Sequence, residues 1–243
     1  MKIILKILRR KDAASEPYWI SIPYETDEAE FSVASALRAI NEDTERRDVN
    51  GEPFEPIRWE CSCLQKKCGS CAMVIDGKPG LACDAMISGT GKERTVTLEP
   101  LKTFPPVADL IADRSSMFEE LKKLKVWSPG GLKLSEEAEE TAYDASRCLQ
   151  CGCCLEVCPN FHAGGSFAGN AALGPFTRLL AELPKKDNKE LSASYSKYVF
   201  EGCGKSLACR DVCPAGIDID RLLVHSNAIA VWRRKSAADK VKN

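Results

Sequence analysis

The chain has 243 residues, 44% of them hydrophobic and 28% charged, enough for two ordinary domain cores and too apolar for disorder. Its formal net charge of −1 lacks the basic excess of a nucleic-acid binder. Thirteen cysteines are an odd number, which suits a closed disulfide framework poorly. The N-terminus MKIILKILRR has neither the apolar core nor the cleavage site of a signal peptide, and no run approaches the ~18 apolar residues of a membrane span. We therefore expect a cytoplasmic protein whose cysteines bind metal.

In chain order, Lys2–Leu8 is an apolar strand-type run, Arg9–Glu16 a charged connection and Tyr18–Tyr24 (YWISIPY) an alternating strand, so Met1–Tyr24 is expected as a hairpin. Phe31–Ile40 has helical periodicity, with Ser32 as N-cap. Turn residues cluster at Asn50-Gly51, Pro53 and Pro56. Ala72–Ile75 is expected as a strand, Asp76–Gly80 as a turn, Leu81–Ile87 as the return and Thr95–Leu98 as a last strand. The first hundred or so residues thus form a small α+β domain.

Within it, Cys63, Cys68, Cys71 and Cys83 are spaced C-x4-C-x2-C-x11-C, the plant-type [2Fe–2S] pattern. A tight loop over Gly69 would aim three thiolates and several backbone N–H groups at one cluster, with Cys83 returning from the hairpin. Cys61 is one cysteine too many and is expected as a buried or neighbouring thiol. A zinc site is the rival reading, but zinc ligands come in closely spaced pairs.

Pro100–Pro106 contains three prolines and is expected as a linker, dividing the chain into domains 1–105 and 106–243. Val107–Val126 should form one or two helices, ended by Ser128-Pro129-Gly130-Gly131. Ser135 and the acidic run Glu136–Glu140 open a further helix, the acids suiting its N-terminus and forming a solvated face. A glycine-rich loop spans Ala163–Gly169, and helices are expected over Leu173–Leu183, Leu191–Phe200 and Ile219–Trp232.

The second domain is organised by CLQCGCCLEVCP, in which Cys148, Cys151, Cys154 and Cys158 are spaced C-x2-C-x2-C-x3-C before Pro159. In bacterial-type ferredoxins the fourth cysteine of such a run serves the other cluster of a pair. The partner run supplies Cys203, Cys209 and Cys213-Pro214. Cys148, Cys151, Cys154 and Cys213 then complete a [4Fe–4S] set, and Cys158 joins Cys203 and Cys209. A second cubane would need a cysteine at about position 206, where Ser206 stands. A hydroxyl is a poor iron ligand beside thiolates, so a [3Fe–4S] cluster is expected. Cys153 is left as a spectator.

These motifs, CLQKKCGSC with Cys83, CLQCGCCLEVCP and CGKSLACRDVCP, occur in an order that resembles the iron–sulfur subunit of succinate dehydrogenase and fumarate reductase over nearly the whole chain. RWECSCLQKKCGSCAMVIDGKP is similar to that family's two-iron loop. The resemblance implies an N-terminal β-grasp ferredoxin domain followed by an all-α ferredoxin domain. It also implies a flavoprotein partner that interconverts succinate and fumarate at FAD, and a membrane-anchor subunit that handles quinone. The two-iron cluster would face the flavin and the three-iron cluster the membrane, at the cytoplasmic face of the inner membrane. No catalytic acid, base or nucleophile is required on this chain, because the cofactors carry the redox chemistry.

Many ubiquinone-reducing relatives place a tryptophan after the first Cys-Pro and a histidine after the first cysteine of the last run. Here those stretches read Pro159-Asn160-Phe161-His162 and Cys203-Gly204. The CGCC core resembles relatives that pair with a dihaem cytochrome b and use menaquinone, so transfer to haem is expected. His162 is expected as a hydrogen-bonded loop residue and His225 as a core or interface residue. The tail Trp232-Arg233-Arg234-Lys235 with Lys240 and Lys242 could meet anionic headgroups or solvent. The alternative function is a similar wire for a thiol-linked fumarate reductase or a glycolate oxidase. Some of those carry a further cysteine-rich C-terminal region, whereas only 30 residues, none of them cysteine, follow Cys213 here.

Overall fold

The structure is a computed structural model, and it describes residues 1–88, 94–127, 136–184 and 187–232. The expected break at Ser128–Gly131, the helix start at Ser135 and the basic tail from Arg233 lie outside the described residues. The chain divides into two compact units, Met1–Asp113 with Cys151–Glu156, and Arg114–Gln150 with Val157–Asn243. Among the described residues no helix is long and apolar enough to cross a membrane.

In the first unit, strands β1 (Lys2–Arg9) and β2 (Tyr18–Glu25) form the expected antiparallel hairpin. Alternation puts Ile3, Leu5 and Ile7 on a buried face. Strand β3 (Glu30–Ser32) leads into helix α1 (Val33–Glu42), and the Ser32 hydroxyl accepts from the Ser35 N–H, an N-cap that satisfies one of the helix's orphan donors. Strands β4 (Ala72–Ile75), β5 (Lys78–Leu81), β6 (Met86–Ser88) and β7 (Arg94–Glu99) follow. The main sheet runs β2-β1-β7-β4-β5, while β3 and β6 pair separately. β7 lies parallel to β1, so the last strand returns to the centre of the sheet beside the first.

Two expectations need correction. The Asp76–Gly80 turn is shorter: Asp76 (φ 49°) and Gly77 (φ 77°) both adopt positive φ, the geometry that matches a two-residue turn to strand twist. The return strand is therefore Lys78–Leu81, and Pro79 is tolerated because β5 is an edge. The helix expected from Val107 begins only at Ser115. Pro106–Ala108 (β8) and Ile111–Ala112 (β9) form a small hairpin before α2 (Ser115–Leu124). Asp109 takes a left-handed φ of 42° there, which breaks a helix, and its carboxylate accepts the Arg10 and Arg58 backbone N–H groups. Leu101 and Phe104 are buried, so the proline-rich stretch packs into the first unit.

The second unit is helical, with α3 (Glu136–Ser146), α5 (Asn170–Glu182), α6 (Lys189–Tyr195) continued by a π-type stretch Ser196–Phe200, and α7 (Ile219–Ala230). The short helix α4 (Cys153–Glu156) belongs to the first unit. Helix α5 is buried almost all round, through Leu173, Phe176, Leu179 and Leu180, which marks it as the central helix of its unit. Tyr195 is fully buried, stacks edge-on to Phe176 and donates to Asn227 at 2.8 Å. Arg221 on α7 bridges Glu140 and Asp144 on α3, so the acidic face is partly paired rather than wholly solvated.

Candidate iron–sulfur centres

The two-iron loop is built by the β4–β5 hairpin. Cys71 immediately precedes β4, and its carbonyl accepts the Ala82 N–H at 3.0 Å, which extends the ladder by one pair and brings the chain to Cys83. The Ala82 and Ala85 carbonyls in turn accept the Ala34 and Val33 N–H groups at the start of α1. The hairpin end is thus tied to the helix.

Between Cys63 and Cys71 the chain turns tightly, with positive φ at Leu64, Lys66 and Gly69. Successive reversals of this kind aim backbone N–H groups inward to form an anion-binding nest. Gln65 and Lys67 donate to Cys63 Sγ at 3.3 Å, Lys66 to Cys83 Sγ at 3.3 Å and Ser70 to Cys68 Sγ at 3.5 Å. Above all the Ser70 hydroxyl, with backbone N–H groups, pulls the Cys68 thiol down to about 6, whereas burial pushes Cys71 up to about 11. Hydrogen-bonded thiolates are what iron ligation requires. Cys61 is exposed, which corrects the buried half of its reading.

In the second unit, Cys158, Cys203 and Cys209 line one cavity together with Asn160, Phe167, Lys205 and Ser206. Burial, and after it the neighbouring Cys158 and Cys203, push the Cys209 thiol up to about 11. A nearby positive charge or hydrogen-bond donor would favour the thiolate against this burial. Positive φ at Lys205 and Leu207 bends the loop so that Ser206 faces the same cavity. Asn160 donates to the Gly202 carbonyl at 2.7 Å and holds the Pro159 turn against this loop. A Cβ at Gly204 would lie 3.0 Å from Asn160 Nδ2.

The remaining sequence-predicted cysteines divide between the units. Cys148 and Cys213 belong to the second and pack on its hydrophobic core. Cys151 and Cys154 belong to the first, where Glu156 at the end of α4 accepts the Lys102 and Thr103 N–H groups. Cys153 is fully buried, in keeping with a packing thiol. His162 packs over Gly165 and is exposed; His225 is half-buried on α7.

The loop over Gly69 is expected from the sequence to turn backbone N–H groups toward the sulfurs, but no sequence pattern marks which residues donate. The backbone donors follow from positive φ, which glycine signals at Gly69 but nothing signals at Leu64 or Lys66. Gln150, which donates to Cys148 Sγ at 3.2 Å, has no local signature at all.

Comparison with known proteins agrees with this donor chemistry. Residues 4–119 match the 2Fe-2S iron-sulfur cluster binding domain, and residues 144–217 the 4Fe-4S dicluster domain. The chain is 38% identical over 256 residues to the succinate dehydrogenase iron-sulfur subunit of Bacillus subtilis, covering 99% of this chain and 98% of that one. It is 29% identical over 199 residues to the fumarate reductase iron-sulfur subunit of Wolinella succinogenes, covering 76% and 80%. A chain of the Mycobacterium smegmatis Sdh1 complex in the apo form shares the fold, with a TM-score of 0.74 at 23% identity over 94% of this chain and 95% of that chain. The two ferredoxin-like units, their cysteine order and full-length similarity show that the chain belongs to the family of electron-transferring iron–sulfur subunits of succinate dehydrogenase and fumarate reductase.

Proposed function

We propose that this chain relays electrons between the FAD of a flavoprotein partner and a membrane-anchor cytochrome b, on the cytoplasmic face of the membrane. Cys63, Cys68, Cys71 and Cys83 hold a [2Fe–2S] cluster, Cys148, Cys151, Cys154 and Cys213 a [4Fe–4S] cluster, and Cys158, Cys203 and Cys209 a [3Fe–4S] cluster. When bound, the clusters accept and release single electrons. The protein's part is to supply thiolates, to aim N–H groups at the sulfurs and to restrict water, the means by which potentials are set.

The observation that carries this reading is the convergence of Cys158, Cys203, Cys209 and the non-cysteine Ser206 on one cavity. Three thiols and a hydroxyl suit a cluster with one iron fewer than a cubane. The same surroundings favour a haem of a dihaem cytochrome b as the exchange partner of the three-iron cluster, with menaquinone served through that haem. A tryptophan after Pro159 and a histidine after Cys203 are both missing, and a Cβ at Gly204 would press on Asn160 Nδ2 at 3.0 Å.

The test is electron paramagnetic resonance on the anaerobically purified complex, with iron counted. The ligand sets predict about nine irons per chain and a near-isotropic three-iron signal on oxidation. Two four-iron clusters in its place would move the assignment to the wire of another flavoenzyme. A complex without haem absorbance would end the cytochrome reading.

A further inference from the structure

Gln150 sits between two proposed cluster ligands, Cys148 and Cys151, with its backbone at a left-handed φ of 50°. That region is uncommon for a residue other than glycine or asparagine. Its side-chain amide nitrogen makes two hydrogen bonds, to Cys148 Sγ at 3.2 Å and to the Ala171 carbonyl at 3.1 Å. Both partners are acceptors, so only the NH2 end of the amide satisfies them, and its two protons are both used. The orientation is kept although the amide oxygen is buried with no hydrogen-bond partner among the described residues.

The second bond explains how the first is aimed. Ala171 lies in the first turn of α5, and the residue four positions on, whose N–H would take its carbonyl, is Pro175. Proline has no N–H to donate. Gln150 fills that place, and the carbonyl in return fixes the amide plane with one proton on the carbonyl and the other on sulfur. Close packing keeps the arrangement tight: a Cβ at Gly174 would meet the Ala145 carbonyl at 3.0 Å and the Cys148 Cβ at 3.3 Å.

We propose that Gln150 is a positioning residue that raises the reduction potential of the four-iron cluster by donating a fixed N–H to Cys148 Sγ, a role that rests on Cys148 being a ligand. One-electron reduction adds negative charge to the cluster and its sulfurs. A donor aimed at a ligand sulfur therefore stabilises the reduced form more than the oxidised form, and the proton stays on the amide nitrogen throughout.

The experiment is a redox titration of the intact complex, monitored by electron paramagnetic resonance, for the natural chain and Gln150→Leu. Loss of the donor is expected to lower the equilibrium constant for reduction of the four-iron cluster about three- to tenfold. That is about 30–60 mV for a one-electron couple at 59 mV per tenfold. The other two clusters should keep their potentials. An unchanged four-iron potential at full iron content overturns the proposal. The only glutamines in the chain are Gln65 and Gln150, so 15N placed in glutamine side-chain amides gives a readout that needs no variant. The reduced four-iron cluster should show an amide 15N coupling, and its absence overturns the role even if Gln150→Leu loses its iron. Cys148→Ala separates the two readings: a retained four-iron signal refutes the ligand assignment itself, whereas a lost signal with an unchanged potential in Gln150→Leu refutes only Gln150.

Discussion

Around Cys63, Cys68 and Cys83 the sulfurs lie in an exposed or half-exposed loop and meet backbone N–H groups at 3.3–3.5 Å. Cys209 and Cys213, by contrast, rest against the hydrophobic core of the second unit. The first arrangement relies on a strained loop carried by a β-hairpin, and the second on helices that pack around α5. An exposed loop can hold sulfur charge because its own amides turn inward. Against the core, burial pushes the Cys209 thiol up instead. Donor geometry favours the thiolate in the loop, whereas burial opposes it at Cys209, and substitutions should separate the two settings.

The largest effects should come from the cavity lined by Cys158, Cys203 and Cys209. Cys158→Ala is expected to abolish the three-iron signal, while Ser206→Cys should replace it with a four-iron signal and raise the count to about ten irons per chain; iron analysis with paramagnetic resonance checks both. If Ser206→Cys leaves the signal intact, the cavity does not shape the cluster as argued.

Next is the support of the first unit. Asp109 is buried, pairs with Arg9 through two hydrogen bonds at 2.9 and 3.0 Å, and accepts the Arg10 and Arg58 N–H groups. Only 4% and 1% of the Arg9 and Asp109 side chains are exposed. Removing one partner of such a pair strands a buried charge, so Asp109→Ala should cost about 3–5 kcal/mol in denaturant unfolding. Burial alone would raise the Asp109 pKa, but the Arg9 guanidinium and the backbone donors outweigh it and hold it below the usual carboxylate range. With the folded pKa depressed, the stabilisation is present above the unfolded value of ~3.9 and is lost as pH falls through the folded value. Acid titrations of the natural chain and Asp109→Asn should therefore differ at neutral pH and converge at low pH. A constant gap across the titration would refute the ionic account.

A smaller effect sharpens the account of the helical unit. Tyr195→Phe keeps the stack on Phe176 but strands the Asn227 side-chain oxygen, which should cost about 1–3 kcal/mol. Thermal unfolding of the complex measures it. The smallest effect is expected at Lys66, whose ammonium pairs with Asp84 at 2.7 Å with side chains 45% and 39% exposed. Lys66→Ala should cost at most about 1 kcal/mol and leave the two-iron signal at full amplitude, because the donor to Cys83 is the backbone N–H. Loss of that signal would show that the side chain, not the loop, holds the site.

Much of this was legible in the residues. The β1–β2 hairpin, the Ser32 cap, α3, α5 and α7 follow local periodicity and capping. Periodicity misled at Val107–Leu110, where the pattern is helical but the Asp109 carboxylate is drawn into a buried ion pair and reverses the chain. It also missed the early start of β5, because Lys78-Pro79-Gly80 has poor strand propensity and is held by its pairing with β4.

By itself the sequence determined the cysteine spacings, and with them the family, since spacing limits which thiols a short loop can bring together. It also determined that serine, not cysteine, stands at position 206, which is a matter of one residue's identity. Tertiary structure alone decided that β7 returns parallel to β1, that Asp109 meets Arg9 across 100 residues, and that Gln150 reaches both Cys148 and the carbonyl left open by Pro175. Each of these joins positions or orients groups in ways that no local period relates. Only the packed fold holds them within the few ångströms over which a hydrogen bond acts.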